Sequence, residues 1–163
     1  MTTVSSLADA LIREHHEIDA GIEQFLASTP DGSVTQWAQP LRTAMAALAR
    51  HIYLEEEIVF PRLRSGPLMM PIMVMVTEHG RMWRAMADLH ELLAAEDADA
   101  EPVRSRVLDA CTAMLALLAD HNGKEEPVIY PHLQADLDDD TRAVLADFID
   151  TGTLPDGWSC ERA

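Results

Sequence analysis

A chain of 163 residues with 48% apolar side chains is long enough to bury a core within one domain. Its 28 acidic residues against 12 basic ones leave a formal charge of −16, which disfavours nucleic acid and anionic membrane as partners. Two cysteines, Cys111 and Cys160, are too few for a disulfide framework or a paired-cysteine zinc or iron–sulfur site.

The apolar period is helical almost throughout. Leu7, Leu11, His15, Ile18, Ile22 and Phe25 form one stripe, which predicts a helix over roughly 4–28 that stops at Thr29-Pro-Asp-Gly32. The charged residues Asp9, Arg13, Glu14 and Glu17 interrupt any signal-peptide core. A second stripe runs Leu41, Ala44, Leu48, His51, Glu55, Ile58, and Pro61 is expected to end that helix there or soon after. Ser65-Gly66-Pro67 reads as a turn, and Pro71 suits the first turn of a third helix carrying Ile72, Val76, His79, Trp83, Met86, Leu89 and Leu93. The apolar run 67–77 is too short to cross a bilayer.

After an acidic connection at 96–102, a fourth stripe holds Val107, Cys111, Met114, Leu118, His121 and Glu125 and stops near Pro131. A short fifth helix is expected over 140–149, with an irregular tail over 151–163. The fold class is therefore all-α: an up-down-up-down four-helix bundle over 1–150 with a short C-terminal helix. A soluble, cytoplasmic protein, monomeric or homodimeric, fits this reading.

One pattern occurs twice. His51-Ile-Tyr-Leu-Glu55-Glu56 ends in Val59-Phe60-Pro61, and His121-Asn-Gly-Lys-Glu125-Glu126 ends in Ile129-Tyr130-Pro131. Residues four apart share a helix face, so each copy aims an imidazole and a carboxylate at one point. Glu14-His15 precedes the first copy and Glu78-His79 the second, with offsets of 64 (79 − 15) and 70 (121 − 51). This spacing describes a helical hairpin duplicated about a pseudo-twofold axis, with His15, His51, His79 and His121 on four different core stripes.

Buried imidazoles and carboxylates are costly unless they pair or coordinate a metal. Four histidines with Glu55 and Glu125 offer one or two divalent ions a mixed nitrogen and oxygen shell, which suits iron or manganese and leaves zinc open. Each glutamate is placed to bridge two ions, with the imidazoles capping them. Glu56 and Glu126 point away from the axis, in salt bridges or behind the ligands. Glu14 and Glu78 either orient imidazoles of neighbouring helices or face solvent. His16, on the helix flank, and Asp19, four residues after His15, are further candidates beside the site, and Met82 could line its pocket. His90 lies about 16 Å along the helix from His79 and is out of reach of the same ion. His132, past the last long helix, is expected to be exposed.

These residues and their order resemble the hemerythrin-like, or HHE cation-binding, family over about residues 5–135. The resemblance implies a four-helix bundle holding two iron ions as an oxo- or hydroxo-bridged non-haem pair, with manganese or zinc as secondary choices. The implied ligands are His15, His51, Glu55, His79, His121 and Glu125. Oxygen carriers of that family have a fifth histidine one turn after the third-helix histidine, where this chain has Trp83. That departure implies an extra open position or a different ligand, and a bulky ring near the metal. It shifts the expected function from reversible oxygen carriage toward reaction with peroxide, dioxygen or nitric oxide, with peroxide disproportionation as the enzymatic version. The alternatives are an iron- or oxygen-responsive sensor or iron-holding protein without turnover, and a bundle that binds zinc structurally.

Overall fold

The computed structural model describes residues 6–163, and every element among them is helical. Residues 4 and 5, the start of the expected first helix, lie outside the described residues. Helix α1 (Leu7–Ser28) begins at a capping box: Ser6 Oγ accepts from the Asp9 amide at 3.0 Å, and the Ser6 amide donates to Asp9 Oδ2 at 3.3 Å. This reciprocal pair satisfies two backbone donors that the first turn leaves open. Helix α2 (Gln39–Leu54) takes Pro40 in its first turn, where a missing amide hydrogen costs nothing.

The helical run of the second stripe ends soon after Pro61, at Leu63, but not as one continuous α-helix. Beyond Leu54 the chain widens into a π turn over Glu55–Val59 and continues as α3 (Phe60–Leu63). The Phe60 amide donates to the Glu55 carbonyl, a five-residue step that inserts one extra residue into the turn. The extra residue rotates the face: Val59 and Phe60 point inward, while Ile58, placed on the stripe by a strict helical period, is only half-buried. A short turn at Gly66–Leu68, with Gly66 at φ 54°, leads into α4 (Met69–Ala94).

Helix α5 (Val103–Val128) retains Pro127 near its end, and the Tyr130 amide donates to the Glu125 carbonyl at 3.3 Å. Both halves thus carry the same five-residue step immediately after their inward glutamate. Helix α6 (His132–Ala135) is a single turn that begins at the partly exposed His132. Helix α7 (Asp139–Thr151) starts where Asp138 accepts from the Thr141 amide at 2.7 Å, two residues wider than expected at its end.

Helices α1, α2, α4 and α5 form the bundle, α1 packing on α2 and α5, and α4 on α5 and α2. Gly21 permits the close approach of α1 to α2, since a Cβ there would stand 2.8 Å from both Ala44 Cβ and the Pro40 carbonyl. The core divides into two apolar layers. One is built around Ile22, Phe25, Leu48, Leu89 and Met114, the other around Leu11, Leu54, Phe60, Ile72 and Leu145. Between them lies a layer of buried histidines and glutamates. Among the described residues no helix is long and apolar enough to cross a membrane.

After Thr151 the chain is irregular but ordered against the bundle. Trp158 stacks edge-on against Trp83 (ring centroids 5.4 Å apart, 82° between planes) and Tyr53, and Cys160 is buried. Arg64 pairs with Glu161 at 3.1 Å, and Arg84 donates to the Arg162 carbonyl at 2.7 Å.

Candidate metal centre

The polar layer is where the duplicated pattern converges. His15, His51, His79 and His121 come from α1, α2, α4 and α5, and each is at most 4% exposed; Glu55 and Glu125 are fully buried. Donor atoms of Glu55, His79, His121 and Glu125 lie within 4.8 Å of one another, and so do those of His15, His51 and Glu125. Glu125 belongs to both groups. Its Oε1 faces His15 Nε2 at 3.3 Å and its Oε2 faces His121 Nε2 at 3.5 Å. Glu55 spans the layer in the same sense, with Oε1 3.2 Å from His79 Nε2 and 3.5 Å from His51 Nε2.

Several of these atoms are close without bonding. Glu55 Oε1, His79 Nε2 and Glu125 Oε2 are buried and have no hydrogen-bond partner. Donor atoms about 3 Å apart but misaligned for hydrogen bonds are arranged like neighbours in one coordination shell, aimed at a shared point. Leaving such groups buried and unmet is costly, so the donor set fits a cation.

The Nδ1 side of each imidazole follows a rule that crosses between helices. Glu14 faces His51 at 3.5 Å and Glu78 accepts from His121 at 3.0 Å; Glu56 accepts from His79 at 2.7 Å and Glu126 faces His15 at 3.6 Å. The pairs map onto one another under the pseudo-twofold relation, Glu14 to Glu78 and Glu56 to Glu126. Contacts at His79 and His121 are hydrogen bonds; those at His15 and His51 are looser ion-pair distances. A carboxylate on Nδ1 holds the hydrogen there and turns the Nε2 lone pair inward, as metal-bound histidines require. Glu78 is itself held by Lys124, and Glu14 by Arg50 at 3.1 Å.

The electrostatics agree with a site built for positive charge. Burial alone would depress the imidazoles, yet Glu55 and Glu14 raise His51 to about 10, and Glu125 and Glu78 raise His121 to about 10. His79 is shifted upward too, by Glu55 and Glu56 acting against burial. Burial also opposes ionisation of Glu125, but His121 and His15 hold its carboxyl well below the ordinary range. The hydrogen bond from His121, with that from Lys124, lowers Glu78 to about 2.

Tyr130 is the residue that sequence reasoning missed. Its hydroxyl is 2.9 Å from His15 Nε2, 3.2 Å from His51 Nε2, 3.1 Å from Glu55 Oε2 and 2.9 Å from Glu125 Oε1. The available signal was the aromatic nine residues after each pattern histidine, Phe60 in one copy and Tyr130 in the other. Phe60 instead stacks on His79, ring centroids 5.7 Å apart.

Other expectations are redistributed. Trp83 does not crowd the site: its ring turns outward to Trp158 and borders a surface depression with Met86 and His90. Met82, one residue earlier, is buried and lines the internal cavity. His16 is exposed, and Asp19 is half-buried on α1 outside the cavity lining, with burial and Glu23 raising its carboxyl. The cavity, about 10 Å³, has room for roughly one water. Ile18, Leu48, Ile52 and Leu118 give it an apolar wall, and Asn122 lends a buried amide whose Oδ1 has no partner.

The hemerythrin HHE cation-binding domain model matches residues 6–133. No curated protein and no solved structure matches the sequence. With a buried His/Glu cluster at the centre of an all-helical bundle, and a family match over most of its length, the chain belongs to the hemerythrin HHE cation-binding domain family.

Proposed function

We propose that the chain is a non-haem di-iron protein that binds or reacts with dioxygen, nitric oxide or hydrogen peroxide. The observation that carries this reading is the pair of donor groups joined by Glu125, with Glu55 facing imidazoles of both. His15 and His51 would hold one iron, His79 and His121 the other, and Glu55 and Glu125 would bridge them. Bound there, two adjacent irons supply a two-electron redox centre with coordination open to a small ligand.

The protein's own contributions follow from the geometry. Glu14, Glu56, Glu78 and Glu126 orient the imidazoles and add negative charge behind them, which favours the oxidised, more positive metal state. The apolar wall of Ile18, Leu48, Ile52 and Leu118 excludes bulk water, and the cavity of about 10 Å³ restricts ligands to a few atoms. Peroxide disproportionation, two hydrogen peroxide giving two water and one dioxygen, needs nothing larger.

A reading without turnover, as an iron- or oxygen-responsive sensor or iron-holding protein, is favoured by a separate observation. The Glu161 amide donates to Glu56 Oε1 at 2.8 Å, while Glu56 Oε2 accepts from His79. A change at His79 therefore has a two-bond route to the C-terminal segment.

Iron analysis combined with the visible spectrum, before and after peroxide, tests the proposal. Two irons per chain and sustained oxygen evolution support the enzyme; two irons oxidised once, without turnover, support the sensor or holding protein. Zinc retention with no uptake of iron would overturn both.

A further inference from the structure

We infer that Tyr130 is itself a metal ligand, a phenolate donor to the ion held by His15 and His51, and that it makes the two metal positions chemically unequal. The inference rests on the di-iron reading above and adds a seventh protein donor to it.

Metal–nitrogen and metal–oxygen bonds of about 2.1 Å place adjacent donors of an octahedral shell about 3.0 Å apart. Tyr130 Oη stands 2.9, 3.2, 3.1 and 2.9 Å from His15 Nε2, His51 Nε2, Glu55 Oε2 and Glu125 Oε1. His15 Nε2 and His51 Nε2 are 3.0 Å apart, and His15 Nε2 is 3.3 Å from Glu125 Oε1. Tyr130, His15, His51 and Glu125 thus have the spacing of one shell, with Glu55 Oε2 beside the Tyr130 oxygen.

Hydrogen bonding accounts for this crowd poorly. A phenol has one hydrogen to donate and can accept two, so it cannot serve four neighbours at once. Two imidazole nitrogens that face each other at 3.0 Å also need a proton or a cation between them. A metal ion meets the Tyr130, His15, His51 and Glu125 atoms together. On coordination to iron(III) the phenol O–H bond breaks, the Oη–iron bond forms and the proton leaves to solvent, with no change of oxidation state.

The other half of the duplication has no such donor. Its equivalent is Phe60, whose ring lies against His79. The His79/His121 position therefore keeps a vacancy that Tyr130 fills at its counterpart. All four histidines line the small cavity, and Tyr130 does not. Because Tyr130 occupies a position at the His15/His51 ion and Phe60 offers no donor, the position open to an incoming diatomic or peroxide falls at the His79/His121 ion.

The chain has two tyrosines, which makes the assignment readable. The other, Tyr53, is half-buried against Phe148 and Trp158, apart from the cluster. Protein loaded with iron(III) should show a visible phenolate-to-iron charge-transfer band, with tyrosinate ring modes in resonance Raman spectra excited within it. Both should persist in Tyr53→Phe and vanish in Tyr130→Phe with both irons retained; should Tyr130→Phe fail to fold, Tyr53→Phe decides alone, because Tyr130 is then its sole tyrosine. Two bound irons without tyrosinate modes would overturn the ligand assignment and leave the di-iron reading standing. No bound iron would overturn both.

Discussion

Glu78 directly precedes His79, yet it accepts a hydrogen bond from His121, the pattern histidine of the neighbouring helix, at 3.0 Å. Helical geometry explains the crossing: adjacent residues point about 100° apart, so a carboxylate next to an inward histidine reaches sideways to the next helix. Glu14 stands in the same relation to His51. Each imidazole is thus aimed by a neighbouring element, and the pseudo-twofold relation extends beyond the inner donors.

Removing this support should weaken the site without emptying the core. Glu78→Ala is expected to lower metal affinity roughly 10–100-fold, the usual cost of losing a carboxylate behind a metal-bound histidine. Competition with a chelator measures it, and circular dichroism should show an unchanged helical bundle. Affinity equal to that of the unsubstituted protein would mean that Glu78 does not orient His121.

His121→Ala should lose metal and stability together. It leaves Glu78 and Glu125 without the partner that holds both ionised, a loss of about 3–5 kcal/mol in urea denaturation. His90→Ala and His132→Ala, at an exposed and a partly exposed position, should leave iron content unchanged. Loss of iron from either of those would contradict the ligand set.

The metal-free protein should become less stable as pH rises. His51 and His121 are raised from 6.5 to about 10 in the fold, so each contributes stability that is complete below about 6.5 and lost as pH climbs through 10. Glu78, lowered from 4.5 to about 2, acts on the acid side: its contribution is present above 4.5 and disappears as pH falls through 2. Thermal melts between pH 6.5 and 10 should fall for metal-free protein. Metal-loaded protein should not follow, because the ion replaces those protons and binds more tightly as pH rises. Parallel curves would argue against a shared cation and proton site.

Gly80 lets the C-terminal segment lie on α4, where an added Cβ would run into the Arg162 carbonyl. Gly80→Ala should therefore lift that segment while sparing the bundle. Faster hydrogen exchange at the Glu161 amide, now bonded to Glu56, is the expected readout. Unchanged exchange there would show that the segment is not held by this contact.

Much of the layout is legible in the sequence. The 3.6-residue period places His15, His51, His79 and His121 on four core stripes, and the His-x3-Glu spacing brings Glu55 and Glu125 to the same level. The π turn after Glu55 is not legible, because a five-residue hydrogen-bond step needs no particular side chain; it moves Val59 and Phe60 inward at the expense of Ile58. Trp83 and Met82 are exchanged for a similar reason. Residues three and four beyond His79 share its face, and distant Trp158 draws the larger ring outward. Tyr130 differs from Phe60 by one oxygen at matching positions, and only the three-dimensional neighbourhood shows that this oxygen meets four metal-binding atoms.

The most direct measurement is anomalous diffraction at the iron edge from crystals of the iron-loaded protein. Two peaks are expected, one beside His15 and His51 and one beside His79 and His121, with the Glu125 carboxylate between them. A single peak, or iron bound away from these five residues, would contradict the paired site.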